Sequence, residues 1–466
     1  MSPVAAGSNA KLYFDAVSPF MYFLYSILVL AFFVAVSPWF LYQAIRYRKY
    51  IGSLSQRMGY LPVSFNMDGE QSIWIHAVSV GEVLSARPLA RDLRTRYPRH
   101  RIFLSTTTMT GQAIARRSVQ DADGVFYFPF DLGLFVRRTL DVVRPRLFIM
   151  METEIWPNLL RECRRRGIKT AIVNGRLSQR SYPRYRLARA FMRTVLDDVD
   201  SFCVQSEESA RRFIDLGANP GRVTVTGSLK FDSLDLAPTV HSRARERVLR
   251  YFRLPAARSV IVAGSTMKGE EAAVLTAFRR VRSGVPSTLL ILAPRHVERA
   301  ADVELLCRQE GFKTARRSEL PIDAEPRVDV VVLDTIGELA TIYQLATVAF
   351  VGGSLVDTGG HNILEPAVFG KPIVFGPHMS NFAEIAQTFL SNIAGVQIRS
   401  DRELADVLVA LMADPIRRAR LGAAARALVE ANRGAKDKSI AVLTALLPPD
   451  DTTTYPANVR PFRPIA

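Results

Sequence analysis

The chain has 466 residues, 48% apolar and 23% charged, which describes a foldable globular protein too long for one ordinary core and predicts two domains plus attachments. Lys and Arg number 61 against 44 Asp and Glu, and the resulting +17 points to anionic partners: nucleic acid, an acidic membrane surface or phosphorylated substrates. Three widely spaced cysteines, Cys163, Cys203 and Cys307, form no CxxC; they exclude a disulfide or zinc framework and fit a reducing compartment.

From Ala16 to Ile45 the chain runs without a charge, longer than the roughly 20 apolar residues a helix needs to cross a bilayer. Arg46, Arg48 and Lys49 follow at once, so the positive-inside rule places the N-terminus outside and the rest in the cytoplasm. A cleaved signal peptide fits less well, because the run is too long and its basic flank lies on the wrong side. A helix lying in the membrane surface stays open, since Pro19 and Pro38 can bend the segment.

After the anchor, strand and helix patterns alternate. "SIWIHAV", "RIFLSTTT", "RLFIMM", "KTAIVNG", "SFCVQS" and "RVTVTG" read as strands separated by helical stretches, and Pro157 in "ETEIWPNLLRECRRRG" suits a first helical turn. The rhythm restarts at "RSVIVAG" and continues through "STLLILAP", "VDVVVLD", "TVAFVGG" and "KPIVFG". Such βαβ repetition implies parallel sheets covered on both faces. The expected division is a membrane anchor over 1–50, a Rossmann-like domain over 51–232, a helix-rich junction over 233–257, a second Rossmann-like domain over 258–445 and a disordered Pro- and Thr-rich tail over 446–466. Doubly wound domains bind ligands at the carboxyl ends of their strands, in the cleft between two of them.

The loops after the strands carry the candidate chemistry. In "HAVSVGEVLSARP", Glu82 opens a helix with Ser79 as a possible N-cap; it is either a carboxylate favoured by the helix dipole or a cleft-facing general base. "ETEIWPN" places Glu152 and Glu154 after a strand, pointing the same way if strand geometry holds, with Trp156 as a packing residue. Arg176, Arg180, Arg184 and Arg186 in "NGRLSQRSYPRYR" have the density to grip phosphates, or form a solvated face. In the second half, "VAGSTMKGEE" offers Ser265 and Thr266, then Glu270 and Glu271 opening a helix; it lacks the GKS/T of a P-loop and any GxGxxG, which excludes a P-loop NTPase and disfavours a nicotinamide dinucleotide. "LAPRHVERA" adds Arg295 and His296. "GGSLVDTGGHNILEP" packs four glycines before His361, Asn362 and Glu365, the pattern of a loop that cradles phosphate with free backbone N–H groups. Glu365 is placed to accept from ribose hydroxyls, whereas His361 alone reads as structural. No His, Cys and Asp cluster has metal-ligand spacing, so no metal and no cofactor is expected.

Taken together, "HAVSVGE", "ETEIWPN", "NGRLS", "TGSLKFD", "AGSTMKGEE", "APRH" and "VGGSLVDTGGHNILEPAVFGKPIVFGP" resemble, in order and from about residue 50 to 430, the 3-deoxy-D-manno-octulosonic acid (Kdo) transferases of lipopolysaccharide assembly. The resemblance implies an α/β GT-B fold of two Rossmann-like domains facing a central cleft, with an N-terminal membrane-anchor helix. It implies an inverting glycosyltransferase moving Kdo from CMP-Kdo to the lipid A precursor at the cytoplasmic face of the inner membrane. Glu82 matches the family's catalytic base, and Glu152 and Glu154 lie in a motif needed for activity, with either as the more important. Ser265, Arg295, Gly353, Asn362 and Glu365 match the nucleotide pocket, and Lys230 a lysine near the leaving phosphate. Arg176 and Arg180 are candidates for the acceptor phosphates. "GSTMKGEE" departs from the pattern, with Met267 and Lys268 where many relatives carry His and a small residue. A GT-B transferase using a UDP-sugar is the alternative. A membrane-tethered polyanion-binding protein is a remote one, because the arginines are scattered over helices and the glycine loops would go unexplained; no nucleic-acid partner is expected.

Overall fold

The computed structural model describes residues 20–38, 51–178, 181–232, 243–255 and 257–448. Most of the expected tail, the basic run after the apolar segment and Arg180 lie outside the described residues. The chain divides into two compact units. One takes the described residues up to Asp232 and those from Arg433 on, and the other those from 243 to Asn432.

The first unit is built on strands β1 (Ser72–His76), β2 (Arg101–Thr106), β3 (Gly124–Tyr127), β4 (Pro145–Met151), β5 (Lys169–Gly175), β6 (Ser201–Val204) and β7 (Val223–Val225). They pair in parallel in the order β3-β2-β1-β4-β5-β6-β7. β1 is buried at every position, the polar Ser72 and His76 at its ends included, as in a parallel strand covered on both faces. In register Trp74 lies between Phe103 of β2 and Phe148 of β4. The second unit repeats the design with β8 (Val260–Thr266), β9 (Leu289–Pro294), β10 (Thr314–Arg316), β11 (Val330–Val332), β12 (Val348–Val351), β13 (Ile373–Phe375) and β14 (Val396–Gln397). Its order is β10-β11-β9-β8-β12-β13-β14, again parallel. Both sheets therefore reverse their winding once, at β1/β4 in the first and at β8/β12 in the second. A doubly wound sheet opens a crevice at that reversal, beyond the carboxyl ends of the two strands.

One element lies elsewhere than expected. The helix Ala435–Leu446, placed by the sequence at the end of the second domain, packs on the helix Val80–Arg96 and on β5 and β6 of the first unit. Ala435, Ile440 and Leu443 complete a core cluster with Leu89, Leu93 and Tyr97. Asp232 fastens its start, accepting from the amides of Gly434 at 2.9 Å and Lys436 at 2.7 Å. The second domain thus ends at Asn432.

Among the described residues one helix, Phe20–Pro38, is long and apolar enough to cross a membrane, with a window of mean hydropathy 2.3. One of its faces is docked on the first unit. Tyr22 donates to Asp198 at 2.7 Å, Tyr25 to Asp131 at 3.0 Å, and Asn158 donates to Ser26 Oγ at 3.1 Å. Further along, Phe33 meets Phe130 with ring centroids 4.2 Å apart. Phe20, Phe23, Leu28 and Phe32 on other faces stay exposed.

Candidate active site

The residues after β1 and β4 meet at the reversal of the first sheet. β1 ends at His76, and the helix Val80–Arg96 starts after Ser79, whose Oγ accepts from the amide of Glu82 at 3.4 Å. This is the N-cap expected from the sequence. The Glu82 carboxylate folds back over the same turn: Oε2 accepts from the Val78 amide at 2.9 Å and Oε1 from Ser79 Oγ at 2.8 Å. Glu82 is 7% exposed. Burial first, and then the charge of Glu152, push its pKa up to about 7, against the pull of the Val78 and Ser79 hydrogen bonds. The Glu82 carboxylate thus folds over its own helix start, as the first sequence reading has it.

β4 stops at Met151, and Glu152 takes the left-handed conformation at φ 58° with its amide donating to Val173 O at 3.0 Å. A non-glycine residue in that region is strained and tends to mark functional turns. Strand geometry therefore does not align Glu152 with Glu154, as the sequence suggested. Both nevertheless belong to one electrostatic cluster: burial and then the charges of Glu82 and Glu152 raise the Glu154 pKa to about 8. Glu82 and Glu154, each raised by burial and by neighbouring carboxylates, resist ionising together near neutral pH. Trp156 packs on Phe128 at 4.9 Å, the packing role expected. Arg176 is half-buried, with its carbonyl accepting from Thr153 Oγ1, which ties the β5 loop to the Glu152–Glu154 turn. Lys230 follows β7 in this same unit, after Leu229, whose amide donates to Asn174 Oδ1 at 3.0 Å. It is thus on a different unit from the other five nucleotide candidates.

Those five gather at the β8/β12 reversal of the second sheet. Ser265, on β8, is left-handed at φ 56°. Gly352 follows β12, and a Cβ there would lie 2.7 Å from Ser265 O and 2.8 Å from a Glu270 carboxylate oxygen. Gly353 has φ 64°, and a Cβ would meet the His361 ring at 2.7 Å. Asn362 Nδ2 donates to Glu365 Oε1 at 3.3 Å, while its Oδ1 accepts from the Leu364 amide at 3.1 Å. Burial raises the Glu365 pKa to about 7, with Asn362 and Arg295 pulling the other way. Arg295 is exposed, and its charge, after burial, helps lower the His361 pKa to about 4.

Here the structure changes one reading of the sequence. The amides of Gly353, Ser354 and Leu355 in the glycine loop are not free to cradle a phosphate. Glu270, 1% exposed, takes them: Oε2 accepts from Met267 at 2.8 Å and Gly353 at 2.7 Å, and Oε1 from Ser354 at 3.0 Å and Leu355 at 2.8 Å. A buried carboxylate inside the fold fills the nest that an external anion would occupy elsewhere. Glu271, equally buried, accepts from Thr266 Oγ1 at 3.1 Å and pairs with Arg299 at 2.9 Å. The sequence marked this pair only as opening a helix; glutamates at a helix start are usually solvated, and no local pattern announces burial. Among the described residues, no three His, Cys, Asp or Glu side chains converge as a metal-binding group.

A family model described as "3-Deoxy-D-manno-octulosonic-acid transferase (kdotransferase)" matches residues 52–233. The chain is 34% identical over 407 residues to the 3-deoxy-D-manno-octulosonic acid transferase of Haemophilus influenzae, covering 87% of this chain and 93% of that one. It is also 34% identical over 384 residues to the enzyme of that name from Bordetella pertussis, covering 80% and 86%. In fold it resembles the UDP-GlcNAc 2-epimerase of Neisseria meningitidis, with a TM-score of 0.57 at 12% identity, covering 80% of this chain and all of that one.

Proposed function

The chain belongs to the 3-deoxy-D-manno-octulosonic acid transferases, glycosyltransferases of lipopolysaccharide biosynthesis with a GT-B fold, and from that membership we propose that its donor is CMP-Kdo and its acceptor the bisphosphorylated disaccharide precursor of lipid A. In this reading Glu82 takes the proton of the acceptor's primary hydroxyl as that oxygen bonds to the anomeric carbon of Kdo. The bond from that carbon to the phosphate breaks, and CMP leaves with the electron pair from the opposite side, so the configuration inverts. Lys230 stabilises the departing phosphate, Glu365 accepts from the ribose hydroxyls, and Arg295, Asn362, Gly353 and Ser265 line the nucleotide pocket. Arg176 and Arg180 take the acceptor phosphates. The observation that supports this most is the buried Glu82 carboxylate at the β1/β4 reversal, with a pKa of about 7 and two further carboxyls beside it. A general base works best when its pKa lies near the working pH. The test is Kdo transfer from CMP-Kdo to the lipid A precursor. CMP is expected to inhibit competitively against donor, and UDP at the same concentration to leave the rate unchanged. Inhibition by UDP alone would move the assignment to a UDP-sugar donor.

The place of action in this reading is the cytoplasmic face of the inner membrane, where +17 of net charge favours an anionic leaflet. A helix spanning with its N-terminus outside would carry Tyr22 away from the catalytic unit, whereas its hydroxyl donates to Asp198 of that unit. We therefore place Phe20–Pro38 in the near leaflet, docked face toward the protein and Phe20, Phe23, Leu28 and Phe32 toward acyl chains. Phe23→Asp with Leu28→Asp is expected to move the protein from the membrane pellet to the supernatant, with transfer to detergent-dispersed acceptor retained. Accessibility of an N-terminal tag to protease outside spheroplasts would contradict the placement.

A further inference from the structure

We propose that His76 is a positioning residue for Glu154, presenting Nε2–H to its carboxyl in a tautomer fixed from the core by Trp74 and Ser105. The inference rests on the reading of the Glu82–Glu154 cluster as the reacting site. His76 is fully buried at the end of β1, stacked on Phe128 with centroids 3.8 Å apart. Its Nδ1 lies 2.9 Å from Ser105 Oγ and 3.2 Å from Ser105 O. Ser105 Oγ already accepts from Trp74 Nε1 at 2.7 Å, and Ser105 O from the Ala77 amide at 2.9 Å. The buried Ser105 hydroxyl has one proton to give, and His76 Nδ1 is the acceptor at hand among the described residues. Giving it there leaves Nδ1 as acceptor and puts the ring proton on Nε2; the other tautomer would strand the hydroxyl proton, which is costly in a buried site. Nε2 is itself buried without a partner, and the nearest carboxylate oxygen, Glu154 Oε2, stands 4.0 Å away. Catalytic hydrogen bonds are commonly long before substrate binds.

A donor facing Oε2 leaves any proton on Glu154 to the other oxygen, Oε1. Glu154 then enters the reaction as a neutral, oriented hydrogen-bond donor beside an ionised Glu82. The groups facing the pair are Arg57 from the helix Ile51–Arg57, which disfavours a cationic ring, Glu82 and Glu152, which favour a neutral Glu154, and Tyr185. Burial first holds the ring neutral, with its pKa lowered to about 3.

The test uses full-length protein in detergent, labelled with 15N-histidine, its six histidines reduced to the one of interest by comparison with His76→Phe. The expected spectrum shows Nδ1 bare and Nε2 protonated from pH 5 to 9; an Nδ1–H ring, or a cation at pH 5, overturns the inference. In Kdo transfer, His76→Gln keeps a donor near the Nε2 position and is expected to stay within about tenfold of wild type. His76→Phe and Ser105→Ala are expected to lower kcat by about 10²-fold at unchanged KM, the scale of a mispositioned reacting group. Ser105→Ala is also expected to shift the ring toward the Nδ1–H tautomer. If wild type transfers Kdo and both variants match it, His76 does no positioning. If wild type transfers no Kdo, the function reading fails while the tautomer result stands by itself.

Discussion

Glu82→Ala is expected to lower kcat by about 10²–10⁴-fold, the usual worth of a general base, while KM for CMP-Kdo changes little. Wild-type kcat is expected to rise with pH through about 7, because Glu82 accepts a proton only when ionised. An Ala variant at near-wild-type rate, or a profile flat between pH 5 and 8, would falsify the role. The same burial makes a stability prediction of opposite sign. The folded pKa of Glu82 is raised above its ordinary value of 4.5, so its contribution is fully present below about 4.5 and is lost as pH rises through about 7. Glu82→Gln keeps an acceptor for Val78 and removes that liability. Its Tm is expected to equal wild type's near pH 4.5, to exceed it progressively up to about pH 7, and to hold that lead above. Such a variant is more stable and inactive, the trade-off expected where a buried charge serves function.

Glu270→Ala is expected to be the most destabilising single change in the second unit. It strands the amides of Met267, Gly353, Ser354 and Leu355 in a site that is 1% exposed. Each orphaned buried donor costs about 1–3 kcal/mol, and with water entering the gap a total of about 3–5 kcal/mol is reasonable. Hydrogen exchange at residues 353–355 should accelerate by at least about a hundredfold, the equivalent of roughly 3 kcal/mol. Glu270→Gln keeps one oxygen for two of the four amides and should lose about half as much. Because the loop also carries Gly353 toward Asn362 and Glu365, KM for CMP-Kdo should rise in both variants before kcat falls. Exchange at 353–355 unchanged in Glu270→Ala would sink the account of that carboxylate as the loop's brace.

Both predictions concern glutamates opening a helix after a strand and a glycine, and nothing local separates them. "VGEVL" and "KGEEA" look alike on the page. Their difference is where the carboxylate goes. Glu82 turns back on its own helix start beside the charges of β4, whereas Glu270 reaches across to the loop after β12. His76 was legible only as the first letter of a motif, because its hydrogen-bond chain runs through Ser105 on the neighbouring strand and Trp74 two residues away.

Alternation of strand and helix, the restart at the second half and the recurrence of glycine or carboxylate loops after strands were all readable, since they follow from local periodicity and from which residues end a strand. The edge strands β3, β10 and β14 were not, being two to four residues long and incompletely buried. Parallel pairing order, and hence the reversals at β1/β4 and β8/β12 that gather Glu82 with Glu154 and Ser265 with Glu365, is a property of the whole sheet. So is the return of Ala435–Leu446 to the first unit. A helix with an apolar stripe must bury it somewhere, but its sequence names the need and not the partner; Leu89, Leu93 and Tyr97 supply the surface, more than 300 residues earlier in the chain.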